Sequence, residues 1–435
     1  MTADILSVLP LPDVSELLIQ RKVSPVELTQ SCLDRIESVN DQVNALVFVD
    51  PEAAISEATE AQERYSRQRP LGLLDGLPIV VKDNIAVSGW PMTNGLATQR
   101  ISNADADIVI NLRRQGVVML GSANMDEGAL GAEGVNSHHG PIMNPNYPDL
   151  VTGGSSSGSA AAVAAGLCCA ALGTDTLGSV RLPAAYCGLV GFKPSHGRLS
   201  NTGIISLHPE LDAVGPITQS VADSIHLMTQ LEGWTVSVEQ FPLDRLRWGV
   251  PDSFNRAELD LTVQQSFESA CRVLSDLTRP QLVTLPEWDP GVLRRSGLLL
   301  AENHAASHWT DPVNAYSVRL RSMLRYGREA TTGQLANAQR CISNTKSDLV
   351  ESFEKVDVIL MPTTPQAAFS RDTSAPVNQA DYTALANAAG CPSISIPCPT
   401  FDSSRPVGLQ LISGPGNDEK MLAWALQIEQ LLAGN

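Results

Sequence analysis

The chain has 435 residues, 43% hydrophobic and 18% charged, the proportions of an ordinary globular protein long enough to bury a large core. A formal net charge of −17 weighs against nucleic acid or an anionic membrane as the main partner. No apolar run reaches the about 18 residues of a membrane span, and no basic segment precedes an apolar core near the N-terminus. Neither a membrane helix nor a signal peptide is therefore expected, and the cytoplasm is the expected compartment. The eight cysteines, at 32, 168, 169, 187, 271, 341, 391 and 398, lack paired metal-ligand spacing. Several sit in apolar runs, where a thiol packs as a small hydrophobe, so a reducing compartment is the simplest reading.

Leu11 to Lys22 and Pro25 to Val39 read as helices, the second with Ser24 as N-cap and with Leu28, Cys32 and Ile36 along one face. Pro51 to Arg67 reads as a third, completing a helical layer. Residues 76–87 (GLPIVVKDNIAV) read as a β-branched strand with Lys82 set among Ile79, Val80, Val81 and Ile85, an uncommon place for a lysine. Ala106 to Gln115 follows as a helix and Val117 to Leu120 as a strand. Residues 121–147 read as a long loop containing Asn124, Met125, Asp126, Glu127, His138 and His139.

Residues 152–198 are almost entirely small, apolar or backbone-permissive. Gly153, Gly154 and Gly158 allow torsions and close approaches that a side chain forbids, while Ser155, Ser156, Ser157 and Ser159 place hydroxyls in the same turn. Ser159 to Ala165 is a strong helix former, Leu167 to Leu172 reads as a buried strand, and Gly173 to Ser179 (GTDTLGS) forms a second tight loop. A flexible Gly/Ser linker would not run straight into a helix and a buried strand, and a phosphate-binding loop lacks its lysine. Ser220 to Leu231 reads as a helix, Leu246 to Val250 as a strand and 256–277 as a helix, with a mostly helical pattern to about 356. Val356 to Met361, Ser393 to Pro397 and Val407 to Ile412 are short buried strands, and Asp418 to Leu432 closes the chain as a helix. Helices alternating with short strands point to a mainly parallel sheet covered on both faces.

Three blocks carry a specific resemblance: Gly153 to Ser159 (GGSSSGS), Gly173 to Ser179, and Pro183 to Gly188 with Gly191 to Pro194. Together they resemble the signature of the amidase signature family of serine hydrolases. Weaker similarity covers 74–84, 117–145, 206–220, 357–365 and 386–412, whereas 234–350 carries little. The resemblance implies one amidase signature domain over 1–435, with its core signature at 74–220 and a variable, mostly helical substrate-side region at about 234–350. It implies an α/β fold with a mixed, mainly parallel central sheet. It places the nucleophile at Ser179, a bridging serine at Ser155 and the base at Lys82, and it implies neither metal nor cofactor. Met125, through its carbonyl, and Gly154 are the implied substrate-binding positions.

Amide hydrolysis needs an activated nucleophile, an oxyanion stabiliser and a proton donor for nitrogen. A lysine among apolar residues loses hydration of its ammonium form, so Lys82 is expected to be a neutral amine near neutral pH. The tight turn is expected to aim the amides of Thr176, Leu177, Gly178 and Ser179 into one concavity as an oxyanion hole. Asp175 and Arg181 are expected to pair and fix that turn. Ser156, Ser157 and Ser159 are expected to hold the loop, and His138 and His139 to serve loop roles rather than catalysis. Two positions depart from the family pattern. Ser157 stands where a second glycine is usual, as in allophanate- and carboxybiuret-hydrolysing members, and Leu177 stands where glycine is usual, adding bulk beside the oxyanion hole.

The expected activity is hydrolysis of an amide bond in a small to medium substrate. A carbamate or urea-derivative hydrolase is the alternative. A further one is a glutamine-hydrolysing A-type subunit of an amidotransferase, disfavoured by the loose match of 196–216 and by chain length. An uncharged or weakly polar substrate with an apolar portion is expected, because Met125, Leu130 and Leu177 should lie near the nucleophile. Leu298, Leu299, Trp309, Tyr316, Met323 and Tyr326 are the variable-region candidates for the same pocket. A small-molecule amide or carbamate is the expected partner, without nucleic acid or membrane, and a homodimer is left open.

Overall fold

The computed structural model describes residues 7–252, 258–400 and 404–434. Helices α1 (Leu11–Ile19), α2 (Pro25–Val43) and α3 (Pro51–Ser66) enclose strand β1 (Leu46–Val49) in sequence. Ser24 caps α2 in a capping box with Glu27, and Pro25 starts the helix, as the sequence predicts. Strand β2 (Pro78–Lys82) follows, then the small β3 (Pro91–Met92) and β4 (Arg100–Ile101) ribbon, α4 (Asp107–Arg114) and β5 (Val118–Ala123). The signature stretch folds as α5 (Ser157–Ala164), β6 (Ala170–Asp175), α6 (Arg181–Cys187) and β7 (Val190–Lys193). Strand β8 (Ala213–Thr218), α7 (Val221–Glu232), β9 (Trp248–Pro251), α8 (Leu261–Ser275) and β10 (Gln281–Val283) come next. The predicted helix at 256–277 thus starts at Leu261, and residues 256 and 257 lie outside the described ones. Three helices, α9 (Pro290–His308), α10 (Val318–Glu329) and α11 (Thr332–Ser352), make up the later part of the variable region. The chain ends with β11 (Val358–Pro362), α12 (Ala384–Ala389), β12 (Ser393–Cys398), β13 (Val407–Ser413) and α13 (Asp418–Ala433).

Eleven strands form one sheet in the order β1-β5-β2-β6-β8-β7-β12-β13-β11-β9-β10. The parallel pairing expected from helix–strand alternation holds in two blocks, β5-β2-β6 and β11-β9-β10. Antiparallel pairs through β8, β7, β12 and β13 join them, and β1 adds an antiparallel edge. The short connection between β12 and β13 permits only antiparallel pairing, since a parallel neighbour needs a crossover.

Side chains alternate across the sheet as a pleat requires. Ile79, Val81, Leu172, Leu360 and Leu411 join one core with α1, α7, α8 and α13, whereas Val80, Val118 and Ala171 face a second core with α2, α3 and α5. Ile359 and Ile412 face a third core, built with α9, α11 and α12. The sheet is therefore covered on both faces. α5 is buried from Ser157 to Val163, and a β-carbon at Gly158 would collide with the carbonyls of Ala45 and Asn124. The alanine run is what lets the helix lie that close to the strands. Because β2, β5 and β6 are parallel, their carboxyl ends lie along one edge of the sheet: Lys82 ends β2 opposite Ala123 of β5, and β6 runs on past Leu172, the partner of Val81, to Asp175. The crevice beyond the carboxyl ends of parallel strands is the usual place for a ligand. Among the described residues, no helix is long and apolar enough to cross a membrane.

Candidate active site

Lys82 ends β2 with its side chain fully buried. Its Nζ lies 2.8 Å from Ser155 Oγ, 2.9 Å from Thr174 Oγ1 and 3.4 Å from the Thr174 carbonyl. The neighbouring Asp83 does not pair with it. That carboxylate turns to Thr93 and accepts from the Thr93 and Gly95 amides. Among the described residues, Lys82 makes no salt bridge with a carboxylate. Burial lowers the lysine from its ordinary 10.5 to about 7, against the weaker upward pull of Asp126, Asp175 and Asp212.

Ser155 follows a cis peptide bond from Gly154 and is itself buried. Its loop is stitched down on two sides. The Ser156 amide donates to the Ser179 carbonyl at 3.1 Å, which sets the Ser155 and Ser179 loops edge to edge. Ser156 Oγ donates to the Thr174 carbonyl and Ser159 Oγ to that of Leu172, so both hydroxyls hold the loop against β6. Ser157 Oγ donates to Asp126 at 2.9 Å, and the same carboxylate accepts from the amides of Glu133, Gly134 and Val135. A β-carbon at Gly154 would run into Asp126, so glycine is needed there on steric grounds. Ser157, the departure from the commoner glycine, thereby fastens the signature loop to the segment around 133–135.

The second loop is fixed by a buried ion pair. Arg181 donates to Asp175 from Nε at 3.0 Å and Nη2 at 2.9 Å, with both side chains fully buried. Its other donors reach Gln410, Asn387 and Ser393. Burial by itself would raise Asp175, but Arg181, helped by Lys193 and Asn387, holds the carboxyl down at about 2. Asp175 also accepts from the amides of Gly178 at 2.7 Å and Val180 at 3.1 Å. This corrects one expectation, because an amide committed to Asp175 is not aimed at a ligand. The amides of Thr176, Leu177 and Ser179 meet no protein acceptor among the described residues. Gly178 has φ +125°, and Thr383 Oγ1 donates to the Leu177 carbonyl at 2.6 Å, which leaves no room for a side chain at 178. Thr176 Oγ1 donates to Asp212, itself held by Ser206 and the Leu207 and His208 amides.

Ser179 is half-buried and opens into a cavity of about 320 Å³ that Gly154, Thr176, Leu177 and Gly178 also line. Leu130, Leu182, Leu207, Leu298 and Met323 make its apolar wall. Arg294, Arg319, Glu133 and Gln379 add a polar side that the sequence reading missed. Met125 does not line the cavity. It is fully buried, and its carbonyl accepts from Asn136 Nδ2 at 2.8 Å. Leu299 and Tyr316 are buried in core clusters, Trp309 packs over Gly128 and donates to the Ser206 carbonyl, and Tyr326 is exposed. His138 and His139 bond to Glu127 and to the Leu96 carbonyl, and neither reaches the cavity.

The family profile described as Amidase matches residues 27–422. The chain belongs to the amidase family. As an amidase it is an enzyme acting on carbon–nitrogen amide bonds. It is 31% identical to the A-type subunit of glutamyl-tRNA(Gln) amidotransferase from Alkaliphilus metalliredigens, over 97% of this chain and 96% of that one. A solved amidase structure superimposes with a TM-score of 0.88 at 31% identity, covering 98% of this chain and 100% of the other. A second structure, from a vestigial protein complex tied to the origins of an s-triazine catabolic enzyme, gives 0.89 at 26% identity, covering 97% and 98%. Near-complete coverage of the amidotransferase component removes chain length as an argument against that kind of relative.

Proposed function

We propose that this amidase hydrolyses the amide bond of a small substrate through Ser179, Ser155 and Lys82. The observation that carries the proposal is a fully buried Lys82 amine, in no salt bridge among the described residues and 2.8 Å from Ser155 Oγ, in the loop bonded to the Ser179 backbone. Lowered to about 7, the amine is substantially neutral at physiological pH and can accept a proton. Lys82 takes the Ser155 proton as Ser155 takes that of Ser179, and Ser179 Oγ attacks the carbonyl carbon. The developing oxyanion meets the amides of Thr176, Leu177 and Ser179, whose N–H groups have no protein acceptor among the described residues. Collapse breaks the carbon–nitrogen bond, and the relay returns the proton to the departing amine. Water then attacks the acyl-enzyme by the same relay. Gly154 forms part of the cavity wall, and Met125 has no part in this scheme.

Carbamates and urea derivatives present the same carbonyl to the same groups and are the alternative substrates. A second reading, glutamine hydrolysis as the A-type component of an amidotransferase, is favoured by the extent of similarity to such proteins. The test is fluorophosphonate labelling with intact-mass readout, followed by kcat/KM on matched amides, carbamates, ureas, esters and glutamine with the purified chain. Labelling and turnover should both vanish in Ser179→Ala. Persistent labelling would overturn the nucleophile, and glutamine as the preferred substrate would favour the amidotransferase reading.

A further inference from the structure

Arg294 is the odd residue in the cavity wall. It lies on α9 with its side chain only 12% exposed, and its Nε donates to Asp381 Oδ1 at 2.6 Å. A guanidinium carries five N–H donors, and this bond uses one. Among the described residues, Arg294 makes no other hydrogen bond, so Nη1 and Nη2 end the side chain without a protein acceptor. A forked cation in the cavity wall whose outer edge has no protein acceptor is free to take one from a ligand, and that edge matches a carboxylate oxygen for oxygen. Arg319 lines the same cavity but differs. Its side chain is 54% exposed, and its Nη2 sits 3.5 Å from Glu133, so its charge is solvated and partly countered.

The placement of Arg294 sets a spacing. Leu177, two residues before Ser179, packs against Gly297 of α9, so this helix crosses directly over the Ser179 turn. Arg294 precedes Gly297 by three residues, roughly 4.5 Å along the axis. Leu298, one turn beyond Arg294 and also in the wall, offers an apolar surface with Leu177 and Leu182. We infer that the substrate of the Ser179 cavity is an acidic amide, with one carboxylate held by Arg294 and a short apolar spacer between that carboxylate and the scissile carbonyl. This deepens the proposed function and rests on Ser179 being the acylated residue. A cavity of about 320 Å³ is at the small end for ligand sites, which limits the spacer to a few carbons. It also replaces the uncharged substrate expected from sequence. The net charge of −17 opposes polyanions, and because Asp381 already counters the Arg294 charge, what Arg294 offers a single carboxylate is its two Nη donors rather than an unpaired charge.

The experiment compares matched pairs in which a terminal carboxylate takes the place of a methyl: adipamate against hexanamide, and N-butyrylglycine against N-ethylbutyramide. In the full-length enzyme the acidic member of at least one pair should be preferred at least tenfold in kcat/KM. That ratio should fall at least tenfold in Arg294→Gln, chiefly through KM, and persist in Arg319→Gln. Glutamine at 294 can still donate to Asp381. Should that variant fold poorly, the wild-type enzyme gives an independent readout: adipate should slow fluorophosphonate labelling of Ser179, and 1-hexanol at the same concentration should not. Equal turnover within both pairs, a preference erased by Arg319→Gln but kept in Arg294→Gln, or no protection by adipate would each overturn the assignment. Failure of the amidase reading would look different, as no labelling at Ser179 and no turnover of any member.

Discussion

Arg181 grips Asp175 through two nitrogens, Nε at 3.0 Å and Nη2 at 2.9 Å, and neither side chain reaches solvent. The pair acts on the site through Asp175, whose oxygens also accept the Gly178 and Val180 amides on either side of Ser179. Ion pair and turn are therefore one unit.

Removing one partner of a buried pair leaves an uncompensated charge, a loss of about 3–5 kcal/mol. Arg181→Met should be destabilised by that order at pH 7 and inactive. The wild-type Asp175 contribution is complete above the ordinary carboxyl value of 3.8 and lost as pH falls toward about 2. Without Arg181, burial raises Asp175 instead, so the deficit of the variant should shrink as pH falls from 7 to 4. Denaturant melts at both values measure it, and a deficit independent of pH would place the damage elsewhere.

Lys82 predicts the acid limb of the rate profile. With the amine at about 7, the neutral fraction falls roughly tenfold for each pH unit below that value. For a neutral amide with chemistry limiting, log kcat/KM should rise with unit slope to about pH 7 and level above it. Lys82→Arg, which cannot supply a neutral base, should lose about three orders of magnitude or more. A profile flat from pH 5 to 9 in the wild type would remove lysine as the base.

The same burial makes Lys82 a cost to the fold. Between about 7 and 10.5 the unfolded chain holds the lysine proton and the folded chain does not, so stability from this group rises with pH across that window. Below about 7 the penalty is full, and above 10.5 it is gone. Lys82→Met should therefore be inactive yet more stable than wild type at pH 7, with an advantage that diminishes toward pH 10. Thermal melts of both proteins across this range check it. A variant less stable than wild type at pH 7 would mean that the contacts to Ser155 and Thr174 outweigh desolvation.

Much of the site was legible because its residues break the ordinary rules of composition. A lysine inside a β-branched run and two serine-rich glycine loops announce themselves, and the helix caps at Ser24 and Ser220 have local signatures. What was not legible depends on partners distant in sequence. β6 runs to Asp175 rather than stopping at Leu172, because Gly173 and Thr174, read as turn residues, pair with Gly215 and Val214 of β8. β7 and β8 hide behind Gly191 and Gly215, whose hydrogens make room for the Val180 and Phe192 carbonyls. The commitment of the Gly178 amide to Asp175 follows from loop curvature that spacing does not encode. Arg294 carries no signal of its own in the sequence, because Asp381, the acceptor for its Nε, stands 87 positions away.

Leu177 gives a last prediction, because its bulk is accommodated by an absence. Its side chain fills the space over Gly297 of α9, where an added β-carbon would stand 2.7 Å from Leu177 Cδ2. Gly297→Ala should leave the helix as stable or more so, since alanine is favoured over glycine in a helix interior by about 1 kcal/mol. It must displace Leu177, however, and Leu177 belongs to the turn that lines the cavity and its carbonyl is pinned by Thr383. Turnover should fall by about tenfold through kcat, with little change in melting temperature. Leu177→Ala alone should cost about 2–5 kcal/mol for a leucine that is 7% exposed, and should enlarge the cavity toward bulkier acyl groups. In the double variant the new methyl at 297 has no leucine to displace, so the kinetic penalty of Gly297→Ala should disappear. A double-mutant cycle on kcat with a short acyl substrate measures that coupling. Penalties that simply multiply would show that Gly297 acts on the site by some route other than Leu177.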